Sequence, residues 1–137
     1  MTTDAPTTAL LQRLPEDLRT LYSEAREAYR ATDHRRALDL NRQLTKEATA
    51  RGDVLGQILG RRFEGLCHYR LSDLAASEEA LRDALRLAES AEEIAQQLLI
   101  TNHLASTLRR AGKLGDAYEP LREARKRATF PNYLHPR

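Results

Sequence analysis

The chain of 137 residues contains no tryptophan, two phenylalanines and a single cysteine, Cys67. One thiol cannot form an internal disulfide, so a folded state rests on packing alone, as expected in a reducing compartment. Valine and isoleucine together number 4 and aromatic residues 7. Strands draw on those side chains, and their scarcity excludes an all-β or doubly wound α/β fold. Long apolar runs are also missing. The longest span three residues, as at Leu98-Leu99-Ile100, whereas a membrane-spanning helix needs about 20. The opening MTTDAPTTALLQ has neither the basic start nor the apolar stretch of a signal peptide. Neither sign of charge dominates: 22 Lys and Arg face 20 Asp and Glu, a net charge of +2. That is not the profile of a dedicated nucleic-acid binder. A soluble cytoplasmic protein with no membrane partner is expected.

What is present is narrow. Leucine (23) and alanine (20) make up 43 of the 137 residues. With arginine, glutamate and glutamine they are strong helix formers, so the fold class is all-α. A chain of this length buries about two-thirds of its unfolded surface, enough for a core without metals.

Three segments align without gaps at an offset of 40 residues: Ala25–Leu44, Gly65–Ala84 and Ala105–Ala124. Small residues recur at Ala25, Gly65 and Ala105, and again at Ala37, Ser77 and Ala117. Two helices approach closely where facing side chains are small, so each repeat reads as a helical hairpin. Tight turns are expected at 32–34, 71–73 and 111–113, and longer connections near 51–53 and 89–91. Asp33, Asp53 and Ser72 or Asp73 are suitable N-caps, and Gly52 and Gly112 suit helix ends. Ser90 with Glu93 reads as a capping box. The Gly56/Gly60 spacing reads as close helix packing. Six helices follow, at about 16–31, 34–51, 54–71, 74–89, 91–111 and 114–128. Residues 1–14 are expected to be a mobile N-terminal segment, with Leu10, Leu11 and Leu14 able to dock. Residues 129–137 form a tail.

The small-residue pattern resembles the tetratricopeptide repeat. The third segment carries it best, at Ala105, Leu108, Gly112, Leu114, Ala117, Leu121 and Ala124, and the second at Gly65, Leu74, Leu81 and Ala84. The first carries Ala25, Ala28, Ala37 and Leu44, with Asn41 where a large apolar residue is usual. The period of 40 exceeds the family's 34, as in its longer-helix variants. Leu21, Arg61 and Thr101 replace the family's large aromatic, and Pro120 lies inside the last helix. The resemblance implies an α-solenoid of three helix–turn–helix repeats (about 18–52, 53–90 and 91–128), its six antiparallel helices forming a right-handed superhelix over 15–128.

It also implies that the first helices of successive repeats line a concave groove. Those positions are Arg19, Tyr22, Arg26, Tyr29 and Arg30; Leu59, Arg62, Leu66, Tyr69 and Arg70; and Leu99, Asn102, Ser106, Arg109 and Arg110. None is acidic. Arginine forks and tyrosine rings suit a protein or peptide partner with an acidic segment. The family's carboxylate clamp is not reproduced, since Tyr22 and Arg26 stand at its first Lys and Asn. By contrast, residues 73–95 carry seven acids against Arg82 and Arg86.

No catalytic constellation stands out. His34, His68, His103 and His135 share no i, i+4 spacing and have no cysteine partner at metal-ligand spacing. Cys67 reads as a packed thiol. No phosphate-binding glycine loop exists. The expected protein is a non-catalytic interaction scaffold with no metal or cofactor. The alternatives are a self-assembly module, in which Phe130, Tyr133 and Leu134 of the tail insert into another copy, or the sensor portion of a regulator. A small basic surplus over 118–137 is what helix C-termini favour in any case.

Overall fold

In the computed structural model, residues 11–129 are described. They form six helices: α1 Glu16–Arg30, α2 His34–Arg51, α3 Val54–Arg70, α4 Leu74–Ser90, α5 Ile94–Arg110 and α6 Leu114–Thr129. No strand occurs among the described residues. Each helix packs chiefly against its neighbours in sequence, and beyond these α1 touches α3 and α3 touches α5. Leu10 and the tail residues Phe130, Tyr133, Leu134 and His135 lie outside the described residues.

One turn builds all five connections. Helices α2 to α6 begin at residues 34, 54, 74, 94 and 114, a step of twenty. Before each start stands a left-handed residue: Thr32 (φ 61°), Gly52 (70°), Ser72 (65°), Glu92 (58°) and Gly112 (81°). The next residue donates its N–H to a carbonyl five positions back. Thus Asp33 bonds Ala28, Asp53 Ala48, Asp73 His68, Glu93 Ala88 and Lys113 Leu108, at 2.7–2.9 Å. The left-handed residue itself bonds three positions back, as Thr32 does to Tyr29. This pair of bonds ends a helix on its own carbonyls. The residue after it opens the next helix. The Asp33, Asp53 and Asp73 carboxylates accept from the N–H groups of Arg36, Gly56 and Ala76.

The fourth turn corrects the expectation of a connection at 89–91. α4 continues to Ser90, and Glu93, not Ser90, stands at the cap of α5 without a side-chain cap bond. The Ser90/Glu93 capping box does not form. Glu92 takes the left-handed position without being glycine, so nothing at that site advertised a turn.

The core runs as a ribbon between the helices. Leu14, Leu18, Tyr22, Leu44, Leu59 and Phe63 fill one part; Ile58, Leu81, Ile100, Leu104 and Leu108 fill the next. Central α3 lies closest to its neighbours. A Cβ on Gly60 would stand 3.0–3.1 Å from backbone atoms of Thr45, and one on Gly65 would stand 2.6 Å from Leu81 Cγ. Ser77, on α4, donates to the Gly65 carbonyl at 2.9 Å. Opposite, buried Glu64 accepts from Thr45 and from Arg61, each at 2.6 Å, and Arg61 reaches Asp83 at 2.9 Å. Burial opposes charge on Arg61, but Glu64 and Asp83 outweigh it and raise its pKa. One guanidinium thereby links α3 and α4, and the shared Glu64 extends the link to α2. Arg51 closes the first hairpin by pairing with Asp17, which holds that carboxyl below its ordinary value.

The repeated turn makes a paired prediction. Gly52→Ala forces a Cβ into the left-handed region and lowers stability by about 1 kcal/mol. Glu92→Gly relieves the same strain and, after the added freedom of the unfolded chain, raises stability by about 0.5–1 kcal/mol. Gly60→Ala, pressed against backbone, costs about 1–3 kcal/mol. Urea denaturation of the three variants checks all three values.

Candidate functional site

The 40-residue register places Tyr29, Tyr69 and Arg109 at equivalent points of α1, α3 and α5, followed by Arg30, Arg70 and Arg110. These lie in the last turn of their helices, where cations suit the dipole. The register produces a recurring contact. Arg70 Nε donates to the Tyr29 hydroxyl at 3.0 Å, with its guanidinium 6.0 Å from that ring. Forty residues on, Arg110 lies 4.9 Å from the Tyr69 ring and donates to the Tyr69 carbonyl and the Ser72 hydroxyl, both at 2.9 Å. Each arginine therefore reaches back to the tyrosine of the preceding hairpin and joins successive repeats.

Between these pairs lies a cavity of about 190 Å³ lined by Tyr29, Leu66, Tyr69, Arg70, His103, Ser106 and Thr107. Its walls come from α1, α3 and α5. Beneath it Ser77 and Thr107 share a hydrogen bond of 3.0 Å, so the floor is tied to α4. Five of the expected groove residues meet here: Tyr29, Leu66, Tyr69, Arg70 and Ser106. Arg109 joins the rim by donating to Ser106 at 3.4 Å. His103 and Thr107 escaped the sequence reading. They stand one turn apart on α5, so helical spacing from Ser106 reaches His103, and from His103 it reaches Thr107.

The other half of the groove differs from expectation. Tyr22 and Arg62 are only 2% and 3% exposed, and Leu59 is fully buried. Tyr22 meets Phe63 edge to face at 5.4 Å, and its hydroxyl accepts from half-buried Arg26 at 3.0 Å. The Arg62 guanidinium stacks 4.7 Å from the Phe63 ring and donates to buried Gln96 at 3.2 Å. Tyr22, Leu59 and Arg62 therefore belong to the interior. Arg19 and Asn102 are exposed but do not border the cavity.

The remaining chemistry is structural. His34 stands edge-on to Tyr29 at 5.2 Å. His68 is buried, and burial, with Arg42, holds its imidazole below the ordinary value. Among the described residues no group of histidines, cysteines and acids could hold a metal ion. No helix among them is long and apolar enough to cross a membrane. Cys67 is fully buried beside Asn41, whose amide lies 3.9 Å from the sulfur. Burial pushes its thiol from 9.0 up to about 11.

The unfolded thiol ionises near 9.0 and the native one near 11. The stability this neutral thiol contributes is complete below the unfolded value and is lost as pH rises towards the folded one. At pH 8 the native chain is expected to react with a thiol reagent more than about a hundredfold more slowly than the denatured chain. Stopped-flow labelling of both forms gives the ratio, and equal rates would contradict a sealed thiol.

Comparison with protein-family models, with curated proteins and with solved structures returns no match.

Proposed function

We propose that the chain is a non-catalytic interaction scaffold. Its helices stack as a three-repeat, tetratricopeptide-like solenoid with a right-handed superhelical sense. The face made by α1, α3 and α5 binds an acidic segment of a protein or peptide partner. Support for the architecture comes from the contacts of α1 with α3 and of α3 with α5, as expected of first helices that form one layer.

The binding reading rests on one observation. Arg70 lines a tyrosine-bearing cavity, Arg109 and Arg110 bond two of its wall residues, Ser106 and Tyr69, and all three arginines meet neutral acceptors: the Tyr29 hydroxyl, the Ser106 hydroxyl, and the Tyr69 carbonyl with the Ser72 hydroxyl. No carboxylate among the described residues pairs with them. Across the molecule the pattern reverses. Arg61, Arg82 and Arg86 each reach an acid at 2.6–2.9 Å. Arg35 and Arg42 on α2 are exposed as well; what sets the three apart is that each lines one cavity or bonds a residue of its wall. Guanidiniums held in place but not neutralised are prepared for carboxylates.

Charge reversal at Arg70 and Arg109 is expected to weaken capture of an acidic partner by at least about tenfold, with strong salt dependence in the parent protein. Reversal of Arg82 and Arg86 on α4 is expected to leave capture within about twofold. Titration calorimetry at two ionic strengths measures both. Unchanged affinity in the Arg70/Arg109 variant would remove this reading.

A further inference from the structure

The chain carries its own occupant for half of this face. Residues 11–14 run ahead of α1 and lay Leu11 and Leu14 on the cluster of Tyr22, Leu59 and Phe63, with Leu66 at its edge. Leu66 also lines the open cavity beside Tyr29 and Tyr69. The covered patch and the open cavity are thus continuous along α3. The segment is tied across the layer by Arg13, which pairs with Glu93 at 3.0 Å. Glu93 is the residue that breaks the aspartate pattern of the turns and makes no cap bond. Its carboxylate reaches across to Arg13 instead.

The fastening is light. Arg13 keeps 55% of its side chain exposed, and Leu11 is half-buried. An exposed ion pair is worth at most about 1 kcal/mol, or about fivefold in an equilibrium. Leu14, at 3% exposed, belongs to the core proper. Beside Leu11 a second cavity of about 250 Å³ is bordered by Tyr22, Arg26 and Arg30, against one acid, Glu27. Neither arginine has a carboxylate partner among the described residues.

We infer that the patch beneath Leu11 is a second subsite of the groove, filled in the free chain by Leu11 and fastened by Arg13. The partner that displaces Leu11 is an acidic stretch carrying one apolar side chain of leucine size. The apolar side chain takes the place of Leu11, and the flanking carboxylates meet Arg26 and Arg30. This rests on the groove reading above. It adds that binding is held back by the chain's own N-terminal segment, and that the full site spans both cavities.

The test uses the whole chain and a fluorescein-labelled peptide of glutamates around a central leucine, with a central alanine as comparison. In Leu11→Ser/Arg13→Glu the clasp is reversed and the anchor lost, while Leu14 remains. Reversing Arg13 opposes an acidic probe electrostatically, so a gain in affinity cannot come from charge. Fluorescence anisotropy is expected to show the leucine probe binding this variant about fivefold more tightly than the parent chain. The alanine probe gains less, and adding Arg26→Glu abolishes the gain. Equal or weaker binding of the leucine probe by a variant that melts normally overturns the inference and leaves the groove reading standing. Binding of neither probe by any form overturns both. In the parent chain, saturating leucine probe is expected to speed amide exchange over residues 12–14; exchange that stays the same or slows overturns the inference without recourse to a variant.

Discussion

A backbone hydrogen bond that reaches five residues back governs this molecule. It recurs at Asp33, Asp53, Asp73, Glu93 and Lys113, and it allows three things at once. It satisfies a carbonyl that the helix end would orphan. It places one residue in the left-handed region. It makes the bonding residue the start of the next helix, so that no loop intervenes. With every link identical, α2 to α5 are compelled to nearly equal length, and each side chain meets its counterpart two helices away at a fixed height. The Arg70–Tyr29 and Arg110–Tyr69 contacts are products of that register.

Sameness of the links leaves the differences to the helix faces. α3 is the narrowest passage: Gly56, Gly60 and Gly65 let it sit against α2 and α4, where a methyl group would collide. Its polar residues divide by side. Arg61 joins the acid-bearing α4 and Glu64 joins α2, while Tyr69 and Arg70 face the cavity. The nearly neutral total charge thus conceals two local treatments. Against α4, arginines are neutralised by carboxylates; around the cavity, they rest on tyrosine and serine.

The parts legible in the sequence were those that depend on neighbours along the chain. Aspartate after a glycine or polar residue marked three turns, and Gly112 a fourth. The turn at Glu92 was hidden because a glutamate there carries the strain that glycine removes elsewhere, and Ser90 offered a plausible but unused cap. Tyr29, Leu66, Tyr69, Arg70 and Ser106 come together around one cavity because the 40-residue register transmits position faithfully. Tyr22 and Arg62 obey the same register, yet both are buried. Tyr22 lies under Leu11 and Leu14, residues outside the repeat, and Arg62 is enclosed by Phe63 and Gln96. Periodicity assigns a face to a residue but cannot say what later covers that face.

The twenty-residue step has a consequence for how such a chain can lengthen. A duplicated block of forty residues would return every helix to its own side and extend the row of tyrosines and arginines by one place. A block of twenty would fit the turns equally well, because each link is the same. Placed between Tyr29 and Arg70, however, it would set them three helices apart instead of two and break their contact. The turns tolerate either block; the ring contacts accept only the longer.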